Sequence, residues 1–193
     1  MFKSAGHTVT LSDGKSFPDS LRKKLEEYQF IHLATHGFYF DTTLAAQYYS
    51  RRWSSEAVRY EPLYRCGIAL SGANNPDSVG SLETDGYLLG YEIANTDLRK
   101  CYLVSLSACE TGLGDVRNNL GVDGLSRALK LGGARHLLIS LWKVPDQPTT
   151  VFMQLFYKEL FRGKTPATAL QLAQLTMSKT YKATDWAAFI LVE

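Results

Sequence analysis

The chain has 193 residues, of which 45% are hydrophobic, 12% aromatic and 21% charged. At roughly 100 to 200 residues per domain this length predicts one domain, and the apolar content excludes intrinsic disorder as a description of the whole chain. The 21 Lys and Arg residues against 19 Asp and Glu residues leave a net charge of +2, which is too small to indicate by itself a surface for nucleic acid or for an acidic membrane.

The first half of the chain predicts one helix and two strands. Apolar residues from about Pro18 to Tyr28 recur at helical spacing after the proline, which predicts the helix. Two apolar runs then predict the strands, FIHLATH from Phe30 and GIALS from Gly67. Because both runs are apolar throughout, they favour the interior of a parallel sheet.

The second half continues the alternation of strands and helices. Runs YLVSLSA from Tyr102 and HLLISLW from His136 predict two more strands of the same kind, and AAFILVE predicts a fifth at the C-terminal end. Thr165 and Pro166 have the residue types of a helix start. Helices are predicted over about 120–131, 148–161 and 166–180. The order of elements predicts a three-layer α/β domain, with a mostly parallel central sheet flanked by helices.

The segment 38–61 interrupts this alternation. Its sequence, FYFDTTLAAQYYSRRWSSEAVRYE, carries aromatic and Arg residues without a clean period and follows a predicted strand directly. About two dozen residues exceed an ordinary connection, so we predict a functional loop, a lid or a mobile insertion.

The three cysteines, Cys66, Cys101 and Cys109, have no C-x-x-C spacing. Neither a disulfide framework nor a four-cysteine zinc site can be built from them, which favours a reducing compartment. No apolar run has the roughly 20 residues that span a bilayer, and the first residues lack a secretory signal. We therefore expect a cytoplasmic protein that binds neither membranes nor nucleic acid directly.

Two predicted strands end in reactive side chains. One ends at His36 and Gly37, and the other ends at Cys109, with further glycines after it. Functional groups gather at the carboxyl ends of parallel strands, so these side chains are expected at one edge of the sheet. A thiolate is a nucleophile, and a neighbouring imidazole can take up a proton and return it to a leaving amine. The backbone N–H groups of Gly37 and Cys109 are candidate oxyanion donors.

The cysteines and histidines also have alternative roles that do not involve catalysis by a dyad. A lone cysteine at an apolar strand end is most often a buried small hydrophobe, and Cys66 and Cys101 keep that interpretation. His32 and His36 have the spacing of a zinc-protease helix, but Leu33 stands where the catalytic Glu should be and the surroundings predict a strand. His32 is therefore assigned a structural role. The sequence has no serine-hydrolase elbow, no phosphate-binding loop and no dinucleotide fingerprint.

Six ordered blocks give the chain a specific family resemblance. They are ATHG at 34–37, DGYLLGYEI at 85–93, LVSLSACETGLG at 103–114, GLSRAL at 124–129, GARHLLISLWKVPD at 133–146 and WAAFIL at 186–191. Together they resemble the CHAT domain, a caspase-like, separase-related cysteine peptidase family, over about residues 28–193. The resemblance implies a caspase-hemoglobinase fold, with His36 as the general base and Cys109 as the nucleophile.

The resemblance also implies an activity and a context. The expected function is hydrolysis of peptide bonds in a protein substrate, without metal or organic cofactor. The alternative is a non-catalytic interaction module that binds a partner peptide in the same cleft. Such domains usually follow a sensor region of tetratricopeptide-type repeats, so this chain is expected to be an excised or stand-alone domain. The segment 38–61 follows His36-Gly37 at once, and we expect it to hold the enzyme latent until a partner or sensor domain activates it.

Two acidic residues are candidates for the substrate-binding pocket. Related peptidases favour a basic residue before the scissile bond, and Asp146 follows the LWKVP run where relatives hold an acid. A buried carboxylate there would select Arg or Lys by a charge-assisted contact. The alternative role of Asp146 is to cap the next helix. Asp85 is the second candidate, with a turn as its alternative role.

The chain departs from the family pattern at two places. Cys66 occupies the place of a usual serine, and VDG stands at 122–124 where the family often has a different sequence.

Overall fold

Helices and strands alternate along the chain as the sequence predicts, with some additional short elements. The computed structural model describes residues 18–40, 43, 61–70, 73, 86–107 and 120–193. The helices are α1 (Pro18–Leu25), α2 (Gly90–Ala94), α3 (Leu120–Leu131), α4 (Asp146–Leu160), α5 (Pro166–Met177) and α6 (Ala183–Trp186). The strands are β1 (Phe30–Leu33), β2 (His36–Tyr39), β3 (Cys66–Ala69), β4 (Tyr87–Leu89), β5 (Leu103–Leu106), β6 (His136–Ser140) and β7 (Phe189–Val192), and a turn of 3-10 helix covers Pro62–Tyr64.

The larger sheet has the strand order β1-β5-β6-β7. Strands β1, β5 and β6 are parallel, and β7 runs antiparallel to β6 at the edge. All four residues of the central strand β5 are buried, which explains why its sequence is apolar at every position except Ser105. The predicted α/β class with a mostly parallel sheet is therefore confirmed. Among the described residues, no helix is long and apolar enough to cross a bilayer.

Helices cover both faces of this sheet. Along β5 and β6, Leu103 and Leu138 pack into a cluster with α4 and α5, whereas Val104 and Leu137 pack into a second cluster with α3. Neighbouring residues of a strand point to opposite faces, so each strand contributes to both clusters. The two clusters account for the three layers that the order of elements predicts.

The smaller sheet corrects two predictions. Its order is β2-β3-β4, and both of its strand pairs are antiparallel. The GIALS run, expected in a parallel sheet, forms β3 at the centre of this antiparallel one. The run FIHLATH is divided after Leu33, and His36 begins β2 instead of ending β1. Strand β3 is buried at Cys66, Gly67 and Ile68, and a strand buried on both faces has the same apolar pattern whatever the direction of its neighbours.

The helix limits follow local chemistry. Helix α3 matches the predicted range of 120–131, and the Thr165 side chain caps α5 by accepting from the backbone N–H of Thr168. Helix α4 begins two residues earlier than predicted, because Pro145 is the N-cap and Pro148 falls in the first turn, where its missing N–H is not needed. Helices α1 and α5 end about three residues early, and neither β4 nor α2 was predicted.

Candidate functional site

The carboxyl ends of β1 and β5 lie side by side. Leu33 and Leu106 are partners in the strand register, and the backbone N–H of Ser107 donates to the Leu33 carbonyl at 3.2 Å. His36 follows Leu33 by three residues in the sequence, and Cys109 follows Ser107 by two. Cys109 itself lies outside the described residues. The structure thus brings together the two strand ends that lead to the predicted dyad.

His36 is the first residue of β2 and is exposed to solvent. Its backbone is paired with Ala69 of β3, and the Thr35 hydroxyl donates to the Ala69 carbonyl. Gly37, the predicted oxyanion donor, is buried and paired with Ile68. The pairing with β3 holds the backbone on both sides of His36, while its side chain stays accessible to solvent.

An aromatic cluster supports the strand that carries His36. The ring centroids of Phe38 and Phe40 are 4.7 Å apart, and Tyr87 of β4 meets Phe38 edge to face at 5.0 Å. The Arg65 guanidinium also lies 5.0 Å from the centroid of the Tyr39 ring, within the range of a cation–π contact. These contacts tie β2 to the rest of the smaller sheet and restrict its movement.

Asp146 is the first residue of α4 and is exposed. Because Pro145 occupies the N-cap position, Asp146 is not the cap of this helix. Its carboxylate still lies in the first turn, where a negative charge is favourable. The buried carboxylate that the sequence suggested is therefore an exposed one. Asp85 lies outside the described residues; Gly86 beside it has a φ of 75°, which fits a turn.

Cys66 and Cys101 are buried free thiols, as their structural interpretation predicts. Burial raises the pKa of Cys66 to about 12 and that of Cys101 to about 11. The Cys101 thiol lies 3.5 Å from the Leu103 carbonyl, to which it donates. Since the thiolate is the reactive form, neither residue is suited to nucleophilic chemistry.

His32 belongs to a polar network that the sequence analysis missed. Its Nδ1 lies 3.1 Å from the Tyr157 hydroxyl, and its Nε2 lies 3.1 Å from Ser107 Oγ. The Tyr157 hydroxyl donates to Ser105 Oγ at 2.8 Å. His32 and Ser105 are direct partners in the register of β1 and β5. The sequence signal for this network was a polar residue inside each of two apolar strands, His32 in β1 and Ser105 in β5.

Comparisons with known proteins matched one family model and two long relatives. A family model with the description "CHAT domain" matches residues 1–193. Tetratricopeptide repeat protein 28 from Homo sapiens is 36% identical over 75 residues, which are 37% of this chain and 3% of that protein. The protein of the same name from Mus musculus is 32% identical over 93 residues, 47% of this chain and 4% of its own length. The chain thus matches only a small part of these much longer relatives.

Proposed function

Because the chain belongs to the CHAT domain family over its whole length, we propose that it is a cysteine endopeptidase with Cys109 as nucleophile and His36 as general base. The junction of β1 and β5 carries this proposal, because the Ser107 N–H donates to the Leu33 carbonyl there. Three residues of chain reach at most about 11 Å and two at most about 7 Å, which limits how far each residue of the proposed dyad can lie from this junction.

The proposed reaction has two stages. In the first, the Cys109 thiolate attacks the scissile carbonyl, the resulting oxyanion is held by the N–H groups of Gly37 and Cys109, and protonated His36 gives its proton to the leaving amine. In the second, His36 takes a proton from water, which attacks the thioester and releases the acid product and the Cys109 thiolate. The exposed position of His36 on β2 suits both proton transfers.

We also propose the setting in which this chemistry occurs. Residues 1–193 form one domain with the caspase-hemoglobinase fold, and the motif-bearing part is about 28–193. The mostly parallel sheet between helices supports that fold. The protein acts in the cytoplasm, without metal or organic cofactor, and the free thiols of Cys66 and Cys101 suit a reducing compartment.

A repeat or sensor region is the proposed activating partner. Both relatives reported above are named tetratricopeptide repeat protein 28, which supports a repeat partner for this domain.

The segment 38–61, most of which lies outside the described residues, is the proposed element of latency. A displacement of about 1 Å at the reacting groups can cost about a hundredfold in rate, so a small shift near His36 is enough to hold the enzyme off.

A thiol-reactive peptide probe tests the proposed function. We expect labelling at Cys109 alone, because a pKa of about 11 leaves roughly one Cys101 thiol in a thousand ionised at pH 8, and Cys66 is ionised still less. His36→Ala should abolish the labelling, and a metal chelator should not change it. Replacing residues 40–58 by a short Gly-Ser linker should accelerate it. Slow labelling of Cys109 that is unchanged in His36→Ala would instead indicate the non-catalytic interaction module, since Cys66 and Cys101 stay buried in either case.

Selectivity for a basic residue before the scissile bond tests Asp146. With a peptide library, we expect wild-type protein to prefer Arg or Lys over Met at that position, and Asp146→Asn to reduce the preference about tenfold through loss of a charge-assisted contact. Asp185→Asn is the matched control, since Asp185 is also an acid in the first turn of a helix. An unchanged preference in Asp146→Asn, or a wild-type preference for apolar residues, removes Asp146 from the pocket.

A further inference from the structure

Four polar side chains form a continuous network across β1, β5 and α4. It runs from Ser107 through His32 and Tyr157 to Ser105, with distances of 3.1, 3.1 and 2.8 Å. The Tyr157 and Ser105 end is buried, at 3% and 0% exposure. The His32 and Ser107 end is accessible to solvent and lies where β5 gives way to the segment containing Cys109.

The hydrogens of this network can be assigned by elimination. The Tyr157 hydroxyl gives its one hydrogen to Ser105, so its oxygen accepts from His32 Nδ1. Desolvation by the surrounding atoms lowers the pKa of His32, which leaves the ring neutral at pH 7. A neutral ring with a proton on Nδ1 has a lone pair on Nε2, and Ser107 Oγ–H therefore donates to it.

The network holds Ser107 by two independent bonds to β1. Its backbone N–H donates to the Leu33 carbonyl, and its side chain is bound to His32. Helix α4 supports His32 from the opposite side, with the His32 and Tyr157 rings 5.6 Å apart. Both ring nitrogens of His32 have hydroxyl partners.

We infer that His32 is a positioning residue whose Nε2 fixes the Ser107 hydroxyl and thereby the direction in which the chain leaves β5 toward Cys109. This inference rests on the proposed function. A purely structural role would require only that the polar groups be satisfied. Positioning requires in addition an acceptor at the place of Nε2 and a hydroxyl at residue 107.

Kinetics of probe labelling separate the two roles, since saturation distinguishes probe affinity from the rate of bond formation. We expect Ser107→Ala to lower the rate of bond formation at Cys109 about tenfold with probe affinity unchanged, and Ser107→Thr to restore it. His32→Gln places an oxygen acceptor near Nε2 and should retain most of the rate. The shorter side chain in His32→Asn places its polar atoms only near the Nδ1 position, so this variant should lose most of the rate of bond formation. Ser126→Ala, at a half-buried serine of α3, is the control.

The tautomer is measured independently by nitrogen NMR of labelled histidine, with His32→Gln identifying the signal. We expect the Nδ1–H form in wild-type protein and a shift toward the Nε2–H form in Tyr157→Phe, which keeps the ring and removes the acceptor. Melting temperatures verify that each variant is folded. If Ser107→Ala does not fold, the comparison of His32→Gln with His32→Asn is sufficient to distinguish the positioning role from a purely structural one.

The outcomes distinguish this inference from the proposed function. Suppose that the wild-type protein is labelled at Cys109. The inference alone is overturned if Ser107→Ala forms the probe bond as fast as wild type, or if His32→Gln and His32→Asn form it at the same rate. An Nε2–H tautomer of His32 in wild-type protein also overturns the inference alone. Absence of selective Cys109 labelling in wild-type protein, both alone and with residues 40–58 replaced by the linker, overturns the proposed function and this inference together.

Discussion

Alanine at either Cys109 or His36 is expected to reduce peptide hydrolysis by about a thousandfold or more while the protein stays folded. Without the thiol no thioester can form, and without the imidazole the leaving amine receives no proton. Because nucleophile and base act as one unit, the double variant should be no slower than either single variant. Cleavage of a peptide library at pH 7 to 8, by protein with residues 40–58 replaced by the linker and followed by mass spectrometry, measures both effects.

Cys101→Ala is the matched control for this experiment. Cys101 is a buried thiol with a raised pKa, and it should be dispensable for hydrolysis. The melting temperature of His36→Ala should stay near that of wild type, because the side chain at this position is exposed. Activity within tenfold of wild type in either single variant would refute the dyad.

A side chain at Gly90 or Gly124 is expected to destabilise the fold because both glycines face the Cys66 sulfur. A Cβ at Gly90 would lie 2.5 Å from Cys66 Sγ and 3.0 Å from the Leu63 carbonyl oxygen. A Cβ at Gly124 would lie 2.9 Å from the same sulfur. Overpacking a tight core costs about 1 to 3 kcal/mol, and Gly90→Ala, with a backbone oxygen in its way, should cost about 3 kcal/mol.

Helix α3 makes the result at Gly124 especially informative. Ala at a helix interior is normally about 1 kcal/mol better than Gly, so destabilisation there would reverse the intrinsic preference. A double-mutant cycle with Cys66→Ala provides the control, since removing Sγ removes the closest contact of the new Cβ at each glycine. Chemical denaturation should show that Gly124→Ala costs far less in the Cys66→Ala background. A single Gly124→Ala variant as stable as wild type would contradict the packing.

The Cys66 sulfur packs against elements that lie far from it along the chain. The buried sulfur fills the space between β3, α2 and α3, where a helix backbone approaches on each side. Its glycine partners, Gly90 and Gly124, are 24 and 58 positions away along the chain. Only the packed structure shows which residues surround it.

Local patterns in the sequence were sufficient for much of the architecture. Apolar runs marked β1, β5 and β6, helical spacing marked α3, and the Thr165-Pro166 pair marked the start of α5. The ordered motif blocks identified the family. These features depend on burial, caps and covalent order, which short stretches of chain express directly. The His36 and Cys109 dyad stays a prediction, and His36 begins β2 instead of ending a strand.

Pairing between distant segments was decided only in the tertiary structure. Strand β3 is apolar because it is buried, and nothing in that pattern distinguishes an antiparallel partner from a parallel one. His32 has the pattern of an ordinary strand residue, yet its partner Tyr157 is 125 residues away. Strand register and helix packing bring such groups together through contacts along the whole fold. A residue's role in the site therefore depends on neighbours that its local sequence does not contain.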